Sequence, residues 1–239
     1  MQDKRINILI TRPLEDLLLK EAAQKGIDID VLSFIETESI RSITVKQEIE
    51  NAAAQPAVVV FTSMNAVESV MNTLNGIRPD WSIYCMGNTT QKLVSDYFGA
   101  SSIKGTAADA AELATLIAAD RFIDELFFFC GDIRKDELPA ILKQQDIEVK
   151  EIIVYKTTLV PHKIDKNYGG ILFFSPSAAM SFFNTNVLPQ STTLFAIGKT
   201  TAAEIKKHSG NNIIIGDEPG KENLLKKMTE YFKMSDVGM

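Results

Sequence analysis

Cysteine and histidine are scarce in this sequence. Its 239 residues include two of each, namely Cys85, Cys130, His162 and His208, and their spacings are not those of a metal-ligand cluster. Each cysteine lies at the end of an apolar run, a position typical of buried, reduced thiols. We therefore expect no metal site, and we expect a cytoplasmic location.

Excess positive charge and long apolar runs are also lacking. The net charge is −6, and the most basic group, Lys206-Lys207-His208, is short enough to be an ordinary helix end, so nucleic acid is not an expected partner. No apolar run approaches the roughly 18 residues that a membrane-spanning helix needs. The first residues continue directly into the apolar segment Ile6–Ile10, without the cleavage site of a signal peptide. We therefore expect no membrane partner.

Three familiar catalytic and cofactor motifs are incomplete. Gly198-Lys199-Thr200 matches the end of a phosphate-binding P-loop, but Thr193 stands where that motif requires glycine. No G-x-G-x-x-G dinucleotide motif follows a predicted strand. A serine nucleophile would need His162 or His208 as its base, and neither histidine lies at the carboxyl end of a strand. We therefore expect no cofactor.

Segments rich in Val, Ile and Phe alternate along the chain with segments of helical periodicity. Residues 6–11 predict a first strand, residues 14–24 predict a helix that ends at Gly26, and residues 28–37 predict one further strand. Strands that alternate with helices form parallel sheets covered by helices on both faces. The predicted fold class is therefore α/β.

Three pairs of similar segments reveal an internal repeat. Residues 27–37 resemble residues 147–157, residues 57–67 resemble residues 171–179, and residues 84–90 resemble residues 195–201. One unit of about 115 residues has been used twice, which predicts two α/β lobes that face one large ligand.

Two strand-like segments, Val31–Thr37 and Ile152–Thr158, extend beyond the repeated unit. Two such crossings are what a two-stranded hinge needs. The first lobe would then be discontinuous, with residues 1–35 and 160–239, and residues 38–157 would form the second lobe. The residues alone leave open the alternative of two consecutive lobes.

The predicted strands end in small, hydroxylated or glycine residues that open helices. Ligands bind at these carboxyl ends in open parallel sheets, and helix N-termini attract anions through their unpaired N–H groups. We interpret the set as loops that hold a polyanion, although any one Ser, Thr or Asn is also typical of an ordinary N-cap. The candidate binding residues are Thr11, Arg12, Thr62, Ser63, Asn65, Gly87, Thr90, Gly131, Ser175, Ser177, Gly198, Lys199, Thr200 and Thr201.

The order and spacing of several segments resemble the uroporphyrinogen-III synthase family over about residues 6–232. The resemblance implies two flavodoxin-like lobes joined by a two-stranded ladder in the discontinuous arrangement. The matching segments are Phe61-Thr62-Ser63 with Asn65-Ala66-Val67, Gly87-Asn88-Thr89-Thr90, Cys130-Gly131-Asp132 with Arg134 and Leu138-Pro139, Val154-Tyr155-Lys156-Thr157, Phe173-Phe174-Ser175-Pro176-Ser177, and Ala196-Ile197-Gly198-Lys199-Thr200-Thr201.

The resemblance implies a lyase that cyclises hydroxymethylbilane to uroporphyrinogen III in a cleft between the lobes, as a monomer and without a cofactor. Loss of the terminal hydroxyl as water would give an azafulvene, and a spirocyclic intermediate would invert ring D. The bilane closes unaided to the symmetric isomer I, so the protein must hold it bent, which is catalysis by positioning.

Three side chains are singled out as candidates for this chemistry. By the resemblance Tyr155 lies in the cleft, where its phenol could donate a hydrogen bond to the leaving hydroxyl, although packing of the ring at the hinge explains it equally well. Arg12 is either a fork for a carboxylate or a surface residue at a helix start. Lys199 replaces a residue that is often neutral in relatives, and it adds a carboxylate contact or has no role.

Two other classes of function remain open at this point. A two-lobed small-molecule binding or sensor protein without catalysis would share the architecture and the hinge. A flavodoxin-like nucleotide or flavin enzyme would need aromatic residues beside a phosphate loop, and the loops of this sequence do not supply them.

Overall fold

The computed structural model describes residues 5–218 and 220–236. The strands are β1 Ile6–Ile10, β2 Ile27–Val31, β3 Ile35–Ser39, β4 Ala57–Phe61, β5 Trp81–Met86, β6 Ile103–Ala107, β7 Glu125–Gly131, β8 Glu148–Leu159, β9 Gly170–Phe173, β10 Thr193–Ala196 and β11 Ile213–Ile215. The helices are α1 Asp16–Gln24, α2 Ile43–Ala53, α3 Met64–Leu74, α4 Thr89–Phe98, α5 Ala110–Ala118, α6 Glu137–Lys143, α7 Pro176–Phe183, α8 Lys199–His208 and α9 Lys221–Asp236. In the described ranges no helix is both long and apolar enough to cross a membrane.

The chain forms two compact units. Unit 1 contains the described residues up to Glu36 and those from Thr158 onward. Its five strands lie in the order β11-β10-β9-β1-β2, and all of their pairings are parallel. Successive side chains of β1 point to opposite faces, so Ile8 and Ile10 pack with α1 and α9 while Leu9 packs with α7 and α8. Both faces are therefore covered by helices, as the fold class requires.

Unit 2 contains residues Thr37–Thr157. Its sheet has the order β3-β8-β7-β4-β5-β6. Val59 and Phe61 of β4 pack against α2, α3 and α4, whereas Val60 packs on the face of α5 and α6. Strand β3 is antiparallel to β8, because the N–H of Ile40 bonds the Val154 carbonyl and the N–H of Val160 bonds the Phe34 carbonyl. The other strand pairs of this sheet are parallel.

The two sheets share one topology, because β6-β5-β4-β7-β8 of unit 2 matches β11-β10-β9-β1-β2 of unit 1. In each set of five matched strands, two come from one copy of the repeat and three from the other, and β3 of the first copy is added at the edge of the second sheet. Pairing of β1 with β9 and of β4 with β7 joins the copies. The strand order 2-1-3-4-5 is that of flavodoxin-like folds, so the predicted fold class, two parallel-sheet α/β lobes from a duplication, is confirmed.

One predicted strand was wrong. Residues 28–37 were expected to form a single strand, but β2 ends at Val31 beside β1, and β3 begins at Ile35 beside β8 in the other sheet. Between them the buried Phe34 ring packs on the α7 face of unit 1. The segment changes sheets here, and apolar alternation alone does not reveal such a change.

Candidate active site

Strand order defines where a ligand is expected in each unit. In a 2-1-3-4-5 sheet the order reverses between the first and third strands, and a crevice opens there at the carboxyl ends. In unit 2 these strands are β7 and β4, which end at Gly131 and Phe61. In unit 1 they are β1 and β9, which end at Ile10 and Phe173.

Two hydroxyl groups meet at the reversal point of unit 2. The Tyr155 hydroxyl donates a hydrogen bond to Ser63 Oγ over 3.2 Å. Ser63 directly precedes α3 and also accepts the N–H of Asn65 at 3.2 Å. Sequence reasoning selected Tyr155, Ser63 and Asn65 separately, and the fold brings them together from segments 92 residues apart.

A register shift explains why Tyr155 faces this point. Cys130 pairs with Ile153, but Gly131 pairs with Tyr155, so Val154 is an extra residue in β8. In a regular strand Tyr155 would face away from its neighbour Val154. Both side chains instead contribute to the same buried cluster, as Ile152 does. Such bulges re-aim side chains and are frequent beside active sites.

Gly131 provides the space for the tyrosine ring. A Cβ atom on Gly131 would lie 2.4 Å from Tyr155 Cζ and 2.7 Å from its hydroxyl oxygen. These distances are far shorter than any van der Waals contact. The absence of a side chain at Gly131 therefore determines where the Tyr155 phenol lies.

Burial raises the pKa of Tyr155 above its ordinary value of 10.0. The hydrogen bond to Ser63 acts in the opposite direction, while nearby Cys130 and Asp132 add to the rise in pKa. The phenol therefore keeps its proton at neutral pH, and its chemistry there is that of a hydrogen-bond donor.

Asp132 is a functional candidate that the sequence analysis left out of the site. Its carboxylate oxygen Oδ1 accepts the N–H of Thr157 at 2.8 Å and that of Ile133 at 2.9 Å, and its own N–H bonds the Tyr155 carbonyl at 3.2 Å. Two of these bonds hold β8 at the Tyr155 carbonyl and at the N–H of Thr157. The available signal was its place directly after Gly131 at a strand end.

The four loops that open helices directly fall into two kinds. Ser63 and Ser175 cap α3 and α7, where each side chain accepts a backbone N–H. Asn88 and Gly198, which precede α4 and α8, make no such side-chain bond. Because the first N–H groups of a helix have no partner within it, α4 and α8 offer more unpaired donors than α3 and α7.

Gly87 and Gly198 are repeat counterparts with different surroundings. The N–H of Gly87 bonds the Ala107 carbonyl at 2.9 Å, so it is occupied. A Cβ on Gly198 would meet no atom within 4 Å, and the backbone there is extended, with φ −170°. Lys199 and Thr200 beside it are exposed.

Several predicted binding threonines have buried side chains. Thr11 is 2% exposed and donates its hydroxyl to the Leu172 carbonyl at 2.9 Å, while its N–H bonds the same carbonyl at 3.1 Å. Thr90 and Thr201 are also buried. Arg12, Thr62, Asn65 and Ser177 are half-buried, and the Ser177 hydroxyl lies 3.1 Å from that of Ser175.

At two other predicted strand ends, several residues separate the strand from its helix. After Thr11 and Arg12, helix α1 begins only at Asp16. After Gly131, α6 begins only at Glu137. The residues that directly precede these helices are Glu15 and Asp136. Neither side chain makes a cap hydrogen bond.

Over residues 5–218 and 220–236, no group of three or more His, Cys, Asp or Glu side chains is arranged to hold a metal ion. Arg134 is paired with Glu151 and lies 3.8 Å from Asp136. The Arg134 charge is therefore compensated by neighbouring carboxylates, and the Tyr155 phenol is hydrogen-bonded to the Ser63 hydroxyl.

Comparison with known proteins gives one consistent result. The family described as HEM4, uroporphyrinogen-III synthase HemD, matches residues 16–226. The uroporphyrinogen-III synthase of Saccharomyces cerevisiae is 25% identical over 208 residues, which cover 72% of this chain and 75% of the yeast protein.

Solved structures share the fold. A mutant uroporphyrinogen III synthase from the extremely thermophilic bacterium Thermus thermophilus matches with a TM-score of 0.69 at 11% identity, over 96% of this chain and 99% of its own. The uroporphyrinogen-III synthetase of Helicobacter pylori matches with a TM-score of 0.62 at 18% identity, over 95% and 99%. With the family match over most of its length, the chain belongs to the uroporphyrinogen-III synthase family, lyases of porphyrin biosynthesis that cyclise hydroxymethylbilane to uroporphyrinogen III.

Proposed function

We propose that the carboxyl-edge loops of the two compact units bind hydroxymethylbilane. The substrate is a polycarboxylate, and uncapped helix N-termini attract carboxylates through their N–H groups and partial positive charge. The N-termini of α4 and α8, with Gly87, Thr90, Gly198, Lys199, Thr200 and Thr201, are the strongest candidates because they lack side-chain caps.

The remaining loops supply further contacts in this proposal. Thr62, Ser63, Asn65 and Gly131 lie at the reversal point of unit 2, and Thr11, Arg12, Ser175 and Ser177 lie at that of unit 1. The buried threonines, Thr11, Thr90 and Thr201, shape the loop backbone and do not offer their hydroxyls. Arg12 is the side chain suited to hold a carboxylate bidentately.

The reaction needs departure of the terminal hydroxyl and then control of which carbon is attacked. The paired hydroxyls of Tyr155 and Ser63 supply a hydrogen bond for the first step. Positioning by the loops supplies the second, because it keeps the bilane from the end-to-end closure that gives isomer I. The single observation that carries this proposal is the Tyr155–Ser63 bond at the strand-order reversal of unit 2.

The two compact units, in this proposal, are the two lobes, with β3 and β8 as the two connections between them. We also propose that the protein acts as a monomer. A cytoplasmic location is proposed because both cysteines are buried free thiols. No cofactor is assigned to it.

Incubation of the purified protein with hydroxymethylbilane, followed by separation of isomers I and III, tests the function. We expect isomer III, and we expect the same rate after exhaustive chelation and dialysis. Formation of isomer I alone, at the uncatalysed rate and with bound bilane, would instead indicate a binding or sensor protein. Activity that is lost with chelator and restored by zinc or magnesium would contradict the absence of a cofactor.

A further inference from the structure

The hydrogen bonds around Ser63 leave its own hydroxyl proton available to a ligand. Tyr155 has one hydroxyl proton, and it is donated to Ser63 Oγ. Ser63 Oγ accepts that proton and also the N–H of Asn65, so both of its lone pairs are used. Among the described residues, none accepts a hydrogen bond from the Ser63 hydroxyl.

The two hydroxyl-bearing side chains also differ in burial. Tyr155 is 9% exposed, and its ring fills the space that the missing side chain of Gly131 leaves. Ser63 is half-buried and is the second residue after β4, at the edge where ligands enter such sheets. The Tyr155 side chain is therefore more deeply buried than that of Ser63, which lies at the carboxyl edge of the sheet.

The surroundings of Ser63 make its proton a strong hydrogen-bond donor. A hydroxyl oxygen that accepts two hydrogen bonds is polarised by both, which strengthens the bond that it donates. One of the two comes from the N-terminus of α3, where the helix dipole places partial positive charge. The phenol keeps its proton because burial raises its pKa, so this polarisation persists at neutral pH.

Comparison of the two copies of the repeat supports a special role for unit 2. Ser63 corresponds to Ser175, which caps α7 in the same way. Gly131 corresponds to Thr11, and Tyr155 corresponds to Ile35. Strand β2, the counterpart of β8, ends at Val31 before that position is reached. Unit 1 therefore keeps the serine cap but has other residues in place of the glycine and the tyrosine.

We propose that the Ser63 hydroxyl donates the hydrogen bond to the leaving hydroxyl oxygen of the bilane, and that Tyr155 is a positioning residue that acts through Ser63. This inference rests on the proposed function. It also assigns the end of the bilane that carries the hydroxymethyl group to the carboxyl edge of unit 2.

A double-mutant cycle with Ser63→Ala and Tyr155→Phe tests the proposal. Ser63→Ala should lower kcat about 100-fold, the lower range of a positioned donor, and Tyr155→Phe about 10-fold. The double variant should match Ser63→Ala, because without Ser63 the tyrosine has no group to act through. Ser63→Thr, which keeps the hydroxyl, should restore most of kcat.

A matched control separates this role from helix capping. Ser42 is exposed, is not among the candidate binding residues, and caps α2 by accepting the N–H of Val45 at 3.2 Å. Ser42→Ala should lower the thermal midpoint about as much as Ser63→Ala does and leave kcat unchanged. A kcat of Ser63→Ala close to that of the wild type, or losses that multiply in the double variant, would overturn the proposal. Failure of the wild-type protein itself to form isomer III would instead overturn the proposed function.

Discussion

Gly131 and Tyr155 are fitted to each other at the scale of single residues. A methyl group on Gly131 would overlap the phenol ring, since its Cβ would lie 2.4 Å from Tyr155 Cζ. We expect Gly131→Ala to displace the ring from Ser63, which should lower kcat about 10-fold or more and destabilise the fold by about 1–3 kcal/mol through overpacking. Steady-state kinetics and thermal unfolding on one preparation measure both effects.

Gly210→Ala is the matched control for that substitution. A Cβ on Gly210 would meet no atom within 4 Å, and this exposed residue lies outside the proposed site. Its kcat and thermal midpoint should stay close to those of the wild type. A Gly131→Ala variant that behaves in the same way would show that the Tyr155 ring tolerates displacement.

The two thiols give a pH prediction. Burial raises the pKa of Cys85 to about 11 and that of Cys130 to about 11, from an ordinary value of 9.0. Groups whose folded pKa is raised contribute stability that is fully present below the unfolded pKa and is lost as the pH rises through the folded value. We expect the free energy of unfolding contributed by both thiols to fall between about pH 9 and pH 11.

A thiol reagent checks the same burial. At pH 8 the native protein should react slowly, because Cys85 is 0% and Cys130 is 1% exposed, and two thiols should react at once in denaturant. Rapid reaction of the native protein would contradict this account. The alanine variant of each cysteine identifies which thiol reacts.

Some site residues were predictable from the sequence for physical reasons, and others were not. Ser63 and Gly131 follow apolar runs, so their place at a strand end was readable, and the family resemblance added Tyr155. The hydrogen bond between Tyr155 and Ser63 was not predictable, because it depends on the register shift at Cys130/Gly131. A bulge follows from pairing between strands, and the periodicity of one strand does not contain it.

At the scale of elements, the N-terminus of α8 permits a test of carboxylate binding. Gly198 precedes the helix without a cap bond, in the extended conformation that N-cap residues adopt. Gly198→Asp should cap α8 and leave the thermal midpoint equal or higher, since a Cβ there meets no atom within 4 Å. Its negative charge should repel the polyanion, raise KM and increase the share of isomer I.

Gly198→Asn is the neutral counterpart of that variant. It can cap the helix with a similar shape but adds no charge, so its KM should rise much less than that of Gly198→Asp. If both variants raise KM equally, size and not charge governs this loop. If neither does, the N-terminus of α8 is not a carboxylate site.

Element prediction succeeded where periodicity was sustained and failed where the chain changes sheets. The alternation of strand and helix from β4 onward follows the apolar pattern closely. Residues 28–37 carried an equally apolar pattern, yet they divide into β2 and β3. Each half pairs with a different neighbour, β1 or β8, and that choice is a tertiary one.

At the scale of the whole molecule, the exchange of strands between the two copies was only partly readable from the sequence. The repeat identifies which segments are equivalent, and equivalent strands have similar edges. Similarity therefore does not determine whether β9 pairs with β1 of the first copy or with β7 of its own. The alternative of consecutive lobes stayed open for this reason, and the pairing of β1 with β9 and of β4 with β7 supports the discontinuous arrangement that we propose.

This exchange predicts the behaviour of a nicked chain. The loop between the two copies contains Arg121 and Phe122, and Phe122 is 96% exposed, so a protease site inserted between them should be cut without unfolding. The first fragment would hold β1–β6, and the second would hold β7–β11. Each sheet needs strands from both, so the fragments should elute together and keep forming isomer III, and they should separate in concentrated urea. Separation in native buffer would contradict the exchanged pairing, because two consecutive lobes would come apart on cleavage.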